Sequence, residues 1–97
     1  MDNLEELRKS IDNIDNAIVA MFAERFKVTN RVGHYKAIND LPAKDLSREV
    51  IQFNRINDLA NTYGLEPDFA KELLRNVIDC VVKNHEIIAR EYELNKS

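Results

Sequence analysis

The feature that most constrains this chain is an apolar repeat that begins near its N-terminus. One column of the repeat holds Leu4, Ile11, Ile18 and Val32, and the other holds Leu7, Ile14, Met21, Val28 and Tyr35. Heptad spacing over this span indicates one α-helix, because Gly33 is its only helix-breaking residue. A helix of about 35 residues is about 50 Å long. Since the rest of a 97-residue chain is too small to cover such a stripe, the pattern predicts a partner chain.

Turn residues divide the remainder into two further helices. Pro42 lies within the first loop, over 39–45, and Asp45 is a suitable N-cap for a second helix over about 46–63. The apolar side of this helix, expected to face inward, includes Val50 and Ile51. Gly64 stands where a left-handed C-terminal cap is needed. A proline at the first position suits a third helix over about 67–92, after which we expect a frayed end.

Composition supports a single small helical domain. With 2 Gly and 2 Pro the chain can form few turns, which favours a few long helices over many strands. We therefore expect one all-α domain over residues 1–97, built as a three-helix protomer whose very long first helix covers about 4–38. A domain of this size gains from oligomerisation, because it buries little surface alone.

Charge and hydropathy exclude several function classes. The net charge of -3, with no long basic run, gives no electrostatic support for binding nucleic acid. No apolar stretch approaches the roughly 18 residues that span a bilayer, and the polar, acidic start differs from a secretory signal peptide. The single cysteine, Cys80, fits a reducing compartment, and we expect it to be a small buried residue. The chain is therefore predicted to be cytoplasmic.

Cations on the apolar face of the first helix are the first candidates for function. Arg25 occupies the column of Ile18 and Val32, where an uncompensated guanidinium is costly. Its compensating anion is either a carboxylate on another helix or a bound ligand. Lys36 lies on the same face about 16 Å further along the helix, so the side chains of Arg25 and Lys36 could bind one small anion between them. Alone, Lys36 would more often be a solvated lysine at a helix end.

Arg8 and the start of the second helix add further charges. Arg8 is about 25 Å from Arg25 along one helix, so it can reach the same small ligand only from the partner of an antiparallel dimer. Alone, it is typical of a surface arginine. Asp45, Arg48 and Glu49 begin the second helix, whose free N–H groups favour anions or hydroxyls. Simple capping with a surface ion pair explains these three residues equally well.

The third helix contributes one histidine to its inward face. His85 follows Val77 and Val81 at four-residue steps, and such a histidine is more often a satisfied core residue than a functional one. The two histidines and the cysteine lack metal-ligand spacing, and the chain has neither a phosphate loop nor a nucleophile elbow. We therefore expect catalysis, if any, to rest on placed charges and shape without a metal or cofactor.

Five short motifs, taken in order, carry a family resemblance. They are Leu7-Arg8, Ile11-Asp12-Asn13-Ile14-Asp15, Ala23-Glu24-Arg25, Val32-Gly33 with Lys36, and Asp45 with Arg48-Glu49. Together they resemble the helical class of chorismate mutase, over about Leu4 to Ile88. The resemblance implies an intertwined homodimer with two active sites. It also implies cofactor-free rearrangement of chorismate to prephenate in aromatic amino-acid biosynthesis.

The resemblance also implies roles for individual residues. The substrate site would comprise Arg8, Arg25, Lys36, Asp45, Arg48 and Glu49. Arg8 would enter from the partner chain, and Lys36 would also donate to the ether oxygen of the breaking bond. Asp45 and Glu49 would hold the ring hydroxyl, Asp45 through its backbone.

This chain departs from the family pattern in the third helix. Where the family commonly has Gln or Glu aimed at the ether oxygen, it has His85, and where a serine often lies one turn earlier it has Val81. We predict that His85 assists Lys36 at the ether oxygen, with Asn84 in that place if the helix is rotated by one residue. A histidine can donate through one ring nitrogen when neutral and through both when protonated.

These departures leave two other interpretations open. The first is an isochorismate pyruvate lyase, or an enzyme for an amino analogue of chorismate, on the same scaffold. The pattern of Asp45, Arg48 and Glu49 resembles mutases more than lyases. The second is a non-catalytic helical module for dimerisation or effector binding. Turnover separates the enzymes from the module, and the identity of the product separates mutase from lyase.

Overall fold

The structure, a computed structural model, describes residues 3–96, and these form three α-helices in the order α1 (Leu4–Ile38), α2 (Leu46–Tyr63) and α3 (Pro67–Lys96). The expected all-α fold is confirmed. The bounds of α1 and α2 match those expected from the sequence. Helix α3 continues past the expected end at Tyr92, because neither glycine nor proline follows that residue.

Local capping explains where the helices begin and end. The Asn3 side chain accepts a hydrogen bond from the backbone N–H of Glu6 at 2.9 Å, and Asp45 Oδ1 accepts one from the N–H of Arg48 at 3.0 Å. Gly64 adopts a left-handed conformation with φ of 73°, and its N–H donates back into the last turn of α2. These contacts satisfy terminal groups that a helix leaves unpaired.

Helix α3 lies between the other two helices and packs against both. The buried apolar core of one chain is small, and consists of Ala60, Ala70, Leu74 and Ile78. Gly33 is the only buried residue of α1 and marks its close approach to α3. A Cβ atom at Gly33 would lie 2.7 Å from His85 Cδ2 and 2.9 Å from Ile88 Cδ1. The absence of a side chain at this position therefore brings α1 and α3 together.

Two expectations about burial were wrong. Cys80 is exposed, because it lies two residues from the buried Ile78 and thus about 200° around α3. Val50 and Ile51, assigned to the inward side of α2, are 60% and 57% exposed, whereas Glu49 is 6% exposed. Helix α2 is rotated so that a carboxylate, rather than the two aliphatic residues, faces α3.

The first half of α1 is exposed along its whole length. Every residue from Leu4 to Met21 is exposed, including the whole apolar stripe over that range. The chain measures 65 × 26 × 15 Å, and its radius of gyration is 17.5 Å. A compact chain of this length has a radius of about 13 Å. In the described part of the protein, no helix is long and apolar enough to cross a membrane.

Candidate active site

A small cleft of about 70 Å³ lies between the C-terminal half of α1, the start of α2 and the middle of α3. It is lined by Arg25, Thr29, Lys36, Ala43, Asp45, Arg48, Glu49, Gln52, Ile78, Val81, Val82 and His85. The structure thus brings together every site residue predicted from the sequence except Arg8.

Arg25 enters the cleft from α1 without a protein anion to compensate it. Its Nη1 atom is buried and has no hydrogen-bond partner. Among residues 3–96, no carboxylate forms an ion pair with Arg25. The alternative of a structural salt bridge is therefore not found within the chain, and the geometry leaves room for an anionic ligand.

Lys36 is held in the last turn of α1 by the loop that follows. Its Nζ atom donates to the backbone oxygen of Ala43 at 3.2 Å. An ammonium group has three donors, so this contact fixes the side chain and leaves two donors for a ligand.

Asp45 uses its side chain for capping. Its Oδ1 accepts hydrogen bonds from the backbone N–H of Arg48 at 3.0 Å and from the hydroxyl of Ser47 at 2.8 Å. These bonds hold the pKa of the Asp45 carboxyl below its usual value, the backbone bond having the larger effect. Asp45 is therefore ionised at neutral pH and places the N-terminus of α2 at the rim of the cleft.

Glu49 is a buried carboxylate held by two cations. Its Oε2 accepts from Lys44 Nζ at 3.0 Å, and its Oε1 accepts from Arg75 Nη1 at 3.0 Å. These bonds, first from Lys44 and then from Arg75, lower the pKa of Glu49. The Arg75 guanidinium also lies 4.6 Å from the centre of the Phe53 ring. Glu49 thus remains ionised, with one lone-pair direction on each oxygen free for a ligand.

His85 is 4% exposed, so its predicted inward position is confirmed. Its Nε2 lies 2.8 Å from the backbone oxygen of Thr29 on α1. Because a carbonyl oxygen only accepts, Nε2 carries the hydrogen in this contact. Nδ1 is buried and has no partner. Asn84 lies instead in a surface groove with Asn30 and His34, so rotation of α3 by one residue is not observed.

The two unpartnered atoms belong to residues that line the same cleft. In the described residues, Arg25 Nη1 and His85 Nδ1 are the only buried side-chain nitrogen or oxygen atoms without a hydrogen bond. Each such group costs about 1–3 kcal/mol while it is unpaired. The cleft also contains Lys36 and Arg48, so its cations outnumber its two carboxylates. The arrangement suits a small polyanion with further hydrogen-bonding groups.

Sequence reasoning missed several residues that shape the cleft. Gln52 lies one turn after Arg48, so helical spacing alone could have placed it on the same face. Thr29 acts through its backbone carbonyl, and no sequence signal reveals that contact. The pairing of Arg75 with Glu49 joins residues 26 positions apart on different helices, and it depends on how α2 and α3 pack.

Arg8 lies outside the cleft of its own chain. Its side chain is 62% exposed, and its Nη1 is 3.6 Å from Glu5 Oε1 in a surface ion pair. Over residues 3–96 we find no group of three or more His, Cys, Asp or Glu side chains placed to hold a metal ion.

Comparison with known families decides the assignment. The model of the family described as chorismate mutase type II matches residues 7–86. The chain belongs to this family. The predicted family is confirmed, and with it the enzyme class, since chorismate mutase is an isomerase.

Individual relatives differ in how much of their length is matched. The chain is 29% identical to a chorismate mutase of Methanocaldococcus jannaschii over 79 residues, which cover 81% of this chain and 80% of that protein. It is 29% identical to the T-protein of Haemophilus influenzae over 77% of this chain and 20% of that protein. A bifunctional chorismate mutase/prephenate dehydratase of Aquifex aeolicus is 41% identical over 58% of this chain and 16% of that protein. The chain thus spans most of the first relative and a fifth or less of the other two.

Proposed function

We propose that this chain is a chorismate mutase that rearranges chorismate to prephenate, the step expected of it in aromatic amino-acid biosynthesis. The observation that carries the proposal is the cleft in which Arg25 Nη1 and His85 Nδ1 are both buried and unpartnered. A dicarboxylate with an ether oxygen supplies acceptors for the free donors of Arg25 and Lys36. Family membership independently supports the same reaction.

The proposed mechanism needs positioning and electrostatics only. Arg25 and Arg48 bind the two carboxylates and hold the enolpyruvyl side chain over the ring. The ether C–O bond then breaks while a new C–C bond forms within the same molecule, so no proton or electron leaves the substrate. Lys36 Nζ stabilises the negative charge that develops on the ether oxygen. A millionfold acceleration requires about 8 kcal/mol of differential stabilisation.

His85 is proposed to help Lys36 in a form set by its contact with α1. Since Nε2–H is committed to the Thr29 carbonyl, only Nδ1 is left to act on the substrate. We therefore assign Nδ1 to the ether-oxygen side of the substrate, next to Lys36. Glu49, held ionised by its two cations, is assigned to the ring hydroxyl as acceptor.

We also propose that two copies pair through the first half of α1. That half exposes an unbroken apolar stripe, and the buried core of one chain is small. In an antiparallel intertwined pair, Arg8 of one copy approaches Arg25 of the other and adds a further cation to the cleft. A cytoplasmic location is proposed from the single cysteine, and fractionation of the host cell would test it.

The activity is tested by incubating purified protein with chorismate, and separately with isochorismate, and identifying the products by chromatography. We expect prephenate from chorismate and its loss in Arg25→Ala. The matched control is Arg90→Ala, which removes an exposed arginine outside the cleft. Formation of salicylate and pyruvate from isochorismate would show that the protein is a lyase and not a mutase. Turnover of neither compound would favour a binding module.

The contribution of Arg8 across the dimer is tested by mixing two inactive variants. If Arg8 and Arg25 come from different chains, a heterodimer of Arg8→Ala and Arg25→Ala contains one intact site and one doubly altered site. Random reassociation after mild denaturation should then restore about a quarter of the wild-type activity. If both arginines acted within one chain, the mixture would stay inactive.

A further inference from the structure

We propose that Lys44 and Arg75 make this cleft select a ring hydroxyl against a ring amine, and so exclude the amino analogue of chorismate. The inference rests on the proposed function, in which Glu49 accepts from the ring substituent. It adds two positioning residues, one in the loop before α2 and the other on α3, that the sequence motifs do not include.

The contacts of Glu49 show how the selection arises. The side chain is 8% exposed, and each of its oxygens is 3.0 Å from a different cation, Lys44 Nζ or Arg75 Nη1. Arg75 is further fixed by the Phe53 ring, and its Nη1 is 3.7 Å from Asp79 Oδ1. The side chains of Asp79, Lys44 and Arg75 are 60%, 48% and 45% exposed, so solvent screens all three charges more than that of Glu49.

The charge balance distinguishes the two substrates. An isolated buried carboxylate would attract an ammonium group more strongly than a neutral hydroxyl. Here two cations already occupy that carboxylate, so its surroundings carry a net positive charge. A hydroxyl can donate to a remaining lone pair of Glu49 without adding charge. A ring amine is protonated near neutral pH and would place a third cation beside Lys44 and Arg75.

Other charges lining the cleft do not reverse this balance. Asp45 is its only other carboxylate among the described residues, and Oδ1 of Asp45 is occupied by the helix cap. Arg25, Lys36 and Arg48 add positive charge. The cleft therefore suits a substrate with two negative charges and a neutral ring substituent.

The test is the ratio of kcat/KM for chorismate to kcat/KM for its amino analogue. We expect the wild-type ratio to favour chorismate by at least about tenfold. Arg75→Gln should lower it by about tenfold, as expected for removal of one partly screened charge at a few ångströms. Lys44→Gln should shift the ratio in the same direction, and Arg75→Lys should restore it. Arg90→Gln makes the same change in net charge on the same helix outside the cleft, and should leave the ratio unchanged.

The ratio of the two kcat/KM values distinguishes a loss of selectivity from a loss of folded protein and from a failure of the proposed function. Both substrates are processed by the same folded molecules, so partial unfolding of Arg75→Gln lowers both values and leaves their ratio intact. The proposed selection would be wrong if the wild-type protein accepted the amine equally well. It would also be wrong if the ratio were unchanged in both Arg75→Gln and Lys44→Gln. Neither outcome would contradict the proposed mutase activity. A wild-type protein without activity on chorismate would overturn both.

Discussion

The two halves of α1 share one heptad pattern but differ in their surroundings. From Leu4 to Met21 every residue is exposed, including the whole apolar stripe over that range. From Phe22 to Ile38 the helix approaches α3, buries Gly33, and contributes Arg25 and Lys36 to the cleft. One stretch of helix is thus exposed, while the other forms part of the candidate site.

The difference shows what a repeat pattern can specify. Heptad spacing determines which side of a helix is apolar, and it does so equally in both halves. What covers that side depends on where the other helices lie. Helix α3 has 30 residues, yet Gly33 is the only residue of α1 that is buried, and Arg8 lies in the exposed half, outside the cleft. A second copy would give the exposed half the packing that the other half obtains from α3.

The largest expected effect comes from a charge in the exposed stripe. Ile14 is 59% exposed within one chain, where such a substitution would change stability by less than about 0.5 kcal/mol. If a second copy covers it, Ile14→Asp buries an unpaired carboxylate and costs several kcal/mol. We expect loss of the dimer and of most helical signal, measured by sedimentation equilibrium and circular dichroism. Asn16→Asp, on the opposite side of the same turn, is the control; equal behaviour of the two variants would contradict pairing through this stripe.

The next prediction concerns the packed half. Gly33→Ala places a Cβ 2.7 Å from His85 Cδ2, so α1 and α3 must separate or the ring must turn away from Thr29. We expect a loss of about 1–3 kcal/mol in unfolding free energy, partly offset by the better helix propensity of alanine. Denaturant titration measures it. In a His85→Ala background the same change should cost less, because one clashing atom is gone; equal costs would mean that the ring does not set the helix spacing.

A smaller effect is expected from the side chain of His85. If this residue assists Lys36 at the ether oxygen, His85→Ala should lower kcat by about tenfold or more, because a polar contact made in the transition state is lost. His85→Gln keeps a polar side chain at this position and should retain more activity. His34→Ala, which removes an exposed histidine outside the cleft, is the control. Wild-type kcat in His85→Ala would remove His85 from the ether-oxygen side.

The smallest effect is in acid stability. The pKa of Glu49 is lowered in the folded protein, so its ionised form stabilises the fold above the pKa of the unfolded chain. This stabilisation is lost as the pH falls through the lower, folded-state pKa. Glu49→Gln should therefore flatten the decline of Tm in acid by a few degrees. Glu24→Gln, which alters an exposed pair with Lys27, should change the profile less. Equal flattening in both would contradict a special role for the buried carboxylate.

Much of the fold followed from local signals. Asp45 and Gly64 predicted the limits of α2 because capping acts within a few residues of each helix end. The heptad columns placed Arg25 and Lys36 on one face, and the cleft contains both. Burial was less predictable: Cys80 and Val50 are exposed because the rotation of a helix against its neighbours depends on all of its contacts.

The residue types and their order were sufficient to indicate three helices, a cation-rich site and the family. The state of each charged group came from contacts between helices. Glu49 accepts a hydrogen bond from Arg75 on α3, and the tautomer of His85 depends on a backbone oxygen of α1. The physical reason is one of range. Helix propensity and capping act along a few residues of chain, whereas hydrogen bonds to a buried group depend on ångström-scale distances between segments far apart in sequence.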